Sequence, residues 1–199
     1  MITIFTIPKD YTATASIAQR NAVGSWLASP ALAGWQAPPQ VILMGPATGA
    51  AEHAADTGVE HVSCLQTNAY GTPLLSHAFN AAAKRSKYSV LCYLNADIIL
   101  TPAFVAAVTR LLAVTGSQRW LAVARRKTLE VAGLLCFDAP GWCDRLTEDD
   151  SGVLDSPGSI DCFLVPLTAL PREMPPFVVG RPCWDNWMIY DAWRRAPCD

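Results

Sequence analysis

The sequence predicts an α/β protein, a single domain over residues 1–199 built on one mostly parallel sheet with helices on both faces. Three observations carry this. Strand-like and helix-like segments alternate from residue 2 to residue 114, the rhythm of a parallel sheet with crossover helices. Val90-Leu91-Cys92-Tyr93-Leu94 is an unbroken apolar run of strand length, as a strand buried on both faces requires. Hydrophobic residues make up 51% of the chain and charged residues 16%, a balance that suits a packed core and argues against disorder.

Each element has its own signal. Ile2 to Ile7 alternates β-branched and aromatic residues and stops at Pro8-Lys9, which makes it a first strand. Ser16 to Ser29 has helical periodicity, with Pro30 as its expected stop. Gln40 to Met44 is a second strand closed by Gly45-Pro46, and residues 50–57 form an Ala-rich helix ended by Gly58. Val59 to Leu65 is a third strand. A polar loop, Gln66 to Thr72, precedes a helix from about Pro73 to Lys87, with proline at a tolerated early position. The central strand follows, then Asn95-Ala96-Asp97, the apolar triplet Ile98-Ile99-Leu100 and a helix from Pro102 to about Val114. After Ser117 the rhythm changes. Trp120 to Ala124 reads as a strand, with Ala132 to Phe137 as its candidate hairpin partner. Asp138 to Ser159 is loop-rich, Ile160 to Pro166 is another strand, Pro171 to Pro176 is irregular, and Trp184 to Arg195 is the last helix.

Fifteen Lys and Arg against seventeen Asp and Glu leave a net charge of -2, which gives no support for broad attachment to nucleic acid or anionic membrane. No apolar run is long enough to span a bilayer, and no signal peptide opens the chain. The seven cysteines are scattered without CxxC pairs, as expected of core residues in a reducing, cytoplasmic setting. His53, His61 and His77 lack zinc-ligand spacing with them.

Chemistry concentrates after the central strand. A carboxylate at the carboxyl end of a buried strand is costly unless a hard cation or a ligand hydroxyl offsets the cost, and ligands bind at such strand ends in open α/β sheets. Asp97 occupies that position. A cap for the helix at Thr101-Pro102 is the alternative, and the residue alone leaves both open.

Residues 66–100 carry an ordered set: Asn68 and Gly71 in a loop, Asn80-Ala81 in a helix, then YLNADIIL with Asn95-Ala96-Asp97. That set resembles the nucleotide-sugar half of a family 2-like GT-A glycosyltransferase. The segments TIFTIPK, QRNAVGSW, GTPLLS and PPFVVGRPCWDNWMIY extend the resemblance, to small bacterial or phage-type members, over nearly the whole chain. It implies a GT-A fold, with a nucleotide-sugar half over about residues 1–115 and an acceptor half over about 116–199. It implies transfer of a sugar from a nucleotide-diphosphate donor, UDP-linked as the first expectation, to an acceptor hydroxyl, with inversion. The acceptor class stays open among a glycan, a lipid-linked intermediate, a protein and a modified DNA base. Thr6, Ile7, Pro8, Asn68, Gly71, Asn95 and Asp97 would bind the donor, and Asp97 with Asn95 would hold Mn²⁺ or Mg²⁺. Asp185 would be the general base. Trp184, Trp187, Arg125, Arg126 and Asp161 would face the acceptor, and Arg20 is a weaker candidate for the pyrophosphate.

Each role has a plainer counterpart: turn chemistry for Asn68 and Gly71, a first-turn carboxylate for Asp185, core packing for the tryptophans, a solvated strand end for the basic cluster, and a strand-edge carboxylate for Asp161. Three departures from the family pattern bear on activity. Asn95 replaces the first Asp of the motif, Pro46 stands where relatives often carry an acid, and no histidine follows His77. A metal held by fewer protein ligands is one consequence, and a non-catalytic nucleotide- or glycan-binding relative is the other. A sugar nucleotidyltransferase is a third reading, disfavoured because Ile7 to Ser16 contains no glycine.

Overall fold

A computed structural model describes residues 1–116, 118–147 and 152–195; the expected loop 138–159 and the end of the chain therefore fall partly outside the described residues. The elements in order are β1 (Thr3–Thr6), α1 (Ala13–Leu32), β2 (Gln40–Met44), α2 (Ala50–Thr57), β3 (Glu60–Val62), α3 (Leu75–Arg85), β4 (Val90–Leu94), α4 (Pro102–Thr115), β5 (Ala122–Arg125), β6 (Lys127–Thr128), α5 (Trp142–Thr147), β7 (Val153–Leu154), β8 (Ile160–Pro166) and α6 (Trp184–Arg194). Six strands make one sheet in the order β3-β2-β1-β4-β8-β5. The pairs β1–β2, β2–β3 and β1–β4 are parallel, whereas β8 runs antiparallel to both β4 and β5. The sheet is mostly parallel and flanked by helices, as the sequence predicts.

The period of two along each strand sends alternate side chains to opposite faces. Phe5, Ile42, Leu91, Tyr93, Phe163 and Val165 pack with Leu75, Phe79, Trp184 and Met188 of α3 and α6. Ile4, Val41, Leu43, Cys92, Leu94 and Leu164 pack with Val23, Trp26, Ala54 and Val108 of α1, α2 and α4. Both faces are covered, which is why β4 reads as continuous apolar sequence.

Two expectations need correction. Pro30 does not end α1: the helix runs to Leu32 with Pro30 inside its last turn. The missing proline N–H there costs little, because Pro30's carbonyl still accepts the Ala33 and Trp35 amides and closes the end. Nor is Ala132 to Phe137 a hairpin partner. β5 pairs with β8, and β6 pairs antiparallel with β7 across the intervening α5. The 132–137 segment instead straps across α1. The Asn21 amide donates to the Gly133 carbonyl and accepts the Leu135 N–H, each at 2.8 Å. Phe137 lies over Gly24, where any Cβ would collide with its ring, so the glycine in mid-helix marks a close approach.

Candidate functional site

The chain leaves β1 toward β2 and β3, then returns to add β4 on β1's other side. Such a switch point opens a crevice at the carboxyl ends of the two strands, where ligands of open α/β sheets bind. Phe5 pairs with Tyr93; continuing the register brings Ile7 level with Asn95. Thr6-Ile7-Pro8 and Asn95-Ala96-Asp97 therefore stand side by side at the carboxyl ends of β1 and β4, although they lie some ninety positions apart in the chain.

Both segments are fixed from below. The buried Gln19 side chain clamps the loop after β1, accepting the Lys9 N–H at 2.7 Å and donating to the Lys9 carbonyl at 3.0 Å. Thr6, Ile7 and Pro8 are buried, and the Thr6 hydroxyl has no partner. Beyond Asp97, Trp26 Nε1 donates to the Ile98 carbonyl at 2.8 Å, while Ser25 and Ser29 hold the Leu100 N–H and carbonyl at 2.8 and 2.7 Å. Three residues of α1 thus set the turn that presents Asp97, and Asp97 itself is exposed.

Asn95 is held from the β8 side. Its N–H donates to the Asp161 carbonyl at 3.1 Å, and its Nδ2 donates to Asp161 Oδ1. Only an amide nitrogen can face that carboxylate, so the Asn95 Oδ1 is directed away and keeps its acceptor capacity. Asp161 is 7% exposed, and its other oxygen accepts Arg126 Nη1 at 2.6 Å. Arg126 Nε reaches Asp155 Oδ2 at 2.5 Å, and Thr128 Oγ1 reaches the same oxygen at 2.7 Å. The hydrogen bond that Arg126 donates to Asp161 raises the Arg126 pKa, and the one donated by Thr128, with that from Arg126 adding to it, holds Asp155 below its usual range. Beneath this network Tyr93 is buried, which raises its phenol pKa, with the Asp161 and Asp97 charges adding to the effect.

The donor types present, an exposed carboxylate at Asp97 and an amide oxygen two residues before it, are ones a hard cation accepts. Among the described residues no three His, Cys, Asp or Glu side chains gather as a self-sufficient metal cluster.

Other candidates fall elsewhere. Asn68 folds its own loop: Oδ1 accepts the Tyr70 and Thr72 N–H groups at 2.9 and 3.0 Å, and Gly71 sits at φ +78°, where a side chain would be strained. Trp184 is a core residue, edge-on to Tyr93 at 5.1 Å and tilted on Phe163 at 4.7 Å. Trp187 packs on Phe177 at 5.6 Å. Asp185, half-buried in the first turn of α6, accepts the Asn186 N–H at 2.8 Å. It follows Cys183, a non-glycine residue at φ +83°, a conformation that costs energy and recurs at functional sites. Arg125 bonds the Asp155 carbonyl at 3.3 Å. Arg20 lies 3.7 Å from Asp56, 3.3 Å from His53 Nδ1 and over the Tyr11 ring.

Sequence reasoning missed Gln19, Asp155, Thr128 and the Tyr11–His53 pair. Only QRNAVGSW hinted at Gln19, because it singled out the α1 segment without giving its polar residues a task. Asp155 lies in a stretch with no periodicity to read.

The fold is shared with a solved structure assigned as a nucleotide-diphospho-sugar transferase. Across 98% of this chain and 75% of its own, a protein from Desulfovibrio desulfuricans G20 assigned as a nucleotide-diphospho-sugar transferase superposes with a TM-score of 0.56 at 11% identity. Lower similarity links the chain to residues 1–349 of S. aureus TarS (TM-score 0.44, 13% identity, 67% of this chain and 37% of that one) and to HddC from Yersinia pseudotuberculosis (0.44, 10%, 90% and 84%). No protein-family profile and no curated protein matches the sequence. No helix among the described residues is long and apolar enough to cross a membrane.

Proposed function

We propose that the protein is a cytoplasmic, metal-dependent glycosyltransferase that moves a sugar from a UDP-linked or similar nucleotide-diphosphate donor to an acceptor hydroxyl with inversion. The observation that carries this is the switch point between β1 and β4, where Thr6-Ile7-Pro8 stands beside Asn95 and the exposed Asp97. The buried Thr6-Ile7-Pro8 segment would receive the base and ribose, with Asn68 and Gly71 completing the donor side through the backbone of their loop. Asp97, with the Asn95 Oδ1, would hold Mn²⁺ or Mg²⁺, which supplies charge neutralisation to the leaving diphosphate. In the transfer step the acceptor oxygen attacks the anomeric carbon. The bond from that carbon to the diphosphate oxygen breaks, and its electron pair leaves with the diphosphate. The acceptor proton passes to Asp185. Asp161 and Arg126 act as positioning residues, keeping the Asn95 amide oriented. Trp184 and Trp187 would contribute to the acceptor side by holding the start of α6.

The test is titration of UDP with Mn²⁺ or with chelator, read by calorimetry. Binding should be tighter with Mn²⁺, and Asp97→Ala should remove that enhancement while the thermal transition stays cooperative. Metal-independent binding that ignores the substitution would sink the assignment. One observation favours a second reading, a non-catalytic nucleotide-binding relative: the Asp185 carboxylate already has a helix-start role through the Asn186 N–H. Asp185→Asn separates the two. A base would lose about two to four powers of ten in transfer rate with donor affinity kept, whereas a carboxylate that only suits the first turn of α6, whose N-cap is Cys183, would leave transfer intact on becoming Asn.

A further inference from the structure

On the far side of β4 from the nucleotide crevice, toward β8 and β5, lies a cleft of about 390 Å³, inside the roughly 300–1,000 Å³ range of small-molecule sites. Asp97 belongs to its wall, so the cleft begins where the proposed donor site ends. Its lining has two characters. Ile98, Ile99, Leu129, Val131 and Leu146 all face it and are all half-buried, which leaves hydrocarbon from three separate segments open in one concave surface. Arg125, exposed in the same wall, bonds the Asp155 backbone carbonyl and has no carboxylate partner among the described residues. Its neighbour Arg126 is committed to Asp155 and Asp161.

These two features select a chemistry. Asp97, Thr101, Thr147 and Asp161 in the same lining would bond some hydroxyls of a polyhydroxylated sugar, but the sugar would leave the five aliphatic side chains without an apolar partner. A purely apolar molecule would leave the Arg125 guanidinium without an anion, its preferred partner. We propose that this cleft binds an amphiphile, with an apolar body on the aliphatic wall and a phosphate or carboxylate on Arg125. Among the described residues none of α6 lines it, so the assignment stands apart from Asp185 and the transfer step. Complementarity of charge and apolar surface is what commits the site to this occupant.

Binding of geranyl phosphate, geranate, geraniol, inorganic phosphate and maltose, each below any micelle concentration, tests it by calorimetry, alongside the UDP–Mn²⁺ titration. Geranyl phosphate or geranate should bind at least about tenfold more tightly than geraniol or inorganic phosphate, and the stronger of the two names the anion. Arg125→Gln should remove that margin over geraniol and leave geraniol unchanged. Leu129→Asn with Val131→Asn should weaken all three geranyl compounds by about tenfold. UDP–Mn²⁺ binding should be unaffected by either change, which also shows that the variants are folded. Maltose binding more tightly than the geranyl compounds would overturn the proposal, as would geranyl binding indifferent to the substitutions. UDP–Mn²⁺ binding without amphiphile binding sinks the cleft assignment and spares the transferase reading. The opposite pattern overturns the transferase reading and leaves the cleft assignment standing.

Discussion

The two flanks of β4 are built by different physics. Toward β1 the strands are parallel, the contacts are rings and aliphatic chains, and Phe5 sits edge-on to Phe79 and Tyr93 at 4.9 and 5.4 Å. Toward β8 the strands are antiparallel, and the end of the pair is tied by amide, carboxylate and guanidinium groups running from Asn95 through Asp161 to Arg126 and Asp155. Apolar packing is insensitive to pH and salt, and it gives the β1 flank a fixed shape. A charge network in a half-exposed place responds to whatever ion or ligand arrives. The donor crevice thus has one rigid lip and one lip that can answer to charge.

Substitutions on either flank can break that contrast. The largest effect belongs to Phe5→Ala, which removes a fully buried ring between three elements and should cost about 3–5 kcal/mol of stability. Chemical denaturation would read this, with UDP–Mn²⁺ affinity unchanged wherever the variant remains folded. On the other flank Asp161→Asn keeps the side-chain shape but removes the charge that Arg126 pairs with. It should cost about 1–3 kcal/mol and weaken the metal enhancement of UDP binding, because the Asn95 amide loses its fixed orientation. Should Asp161→Asn leave the metal enhancement intact while Phe5→Ala abolishes it in folded protein, the contrast is inverted.

The smallest effect lies on the β1 flank and is a pH effect. Burial, then the neighbouring Arg20 charge, lowers the His53 pKa below its ordinary value of 6.5, opposed by Asp56. The unfolded chain then binds a proton at pH values where the folded one does not. Stability from His53 is complete above about pH 6.5 and is lost as pH falls toward its folded pKa. Thermal melts between pH 7.5 and pH 5, to be run at about those values, should show a decline that His53→Gln reduces.

The same contrast explains what could be read from the sequence. β2, α2 and β4 match their expected bounds residue for residue, because each is a periodic or unbroken apolar segment with a sharp end: Gly45-Pro46 after β2, Gly58 after α2 and Asn95 after β4. Asp97 at the strand end was legible for the same reason: a local run determined its place. The Asn95–Asp161 bond was not, since it depends on an antiparallel register between segments more than sixty residues apart. Nor was the 132–137 strap, whose backbone partners are the side-chain atoms of Asn21. Its apolar residues look like those of a strand, and no propensity records that the missing ladder is supplied by one amide. Trp184 and Asp185 adjoin in sequence, yet helical geometry turns the first into the core and leaves the second half-open.

That strap also has a consequence for the order of folding. Asn21 and Gly24 stand three residues apart, a spacing that brings a side-chain amide and a bare patch of backbone onto one face only once the segment is helical. Before α1 forms there is nothing for residues 132–137 to recognise, neither the paired amide nor the hollow for Phe137. The strap must therefore be a late arrival, docking on a finished surface, and Leu129 and Val131 just ahead of it complete the cleft wall only after that event. The opposite cleft thus has a wall that depends on α1 being formed.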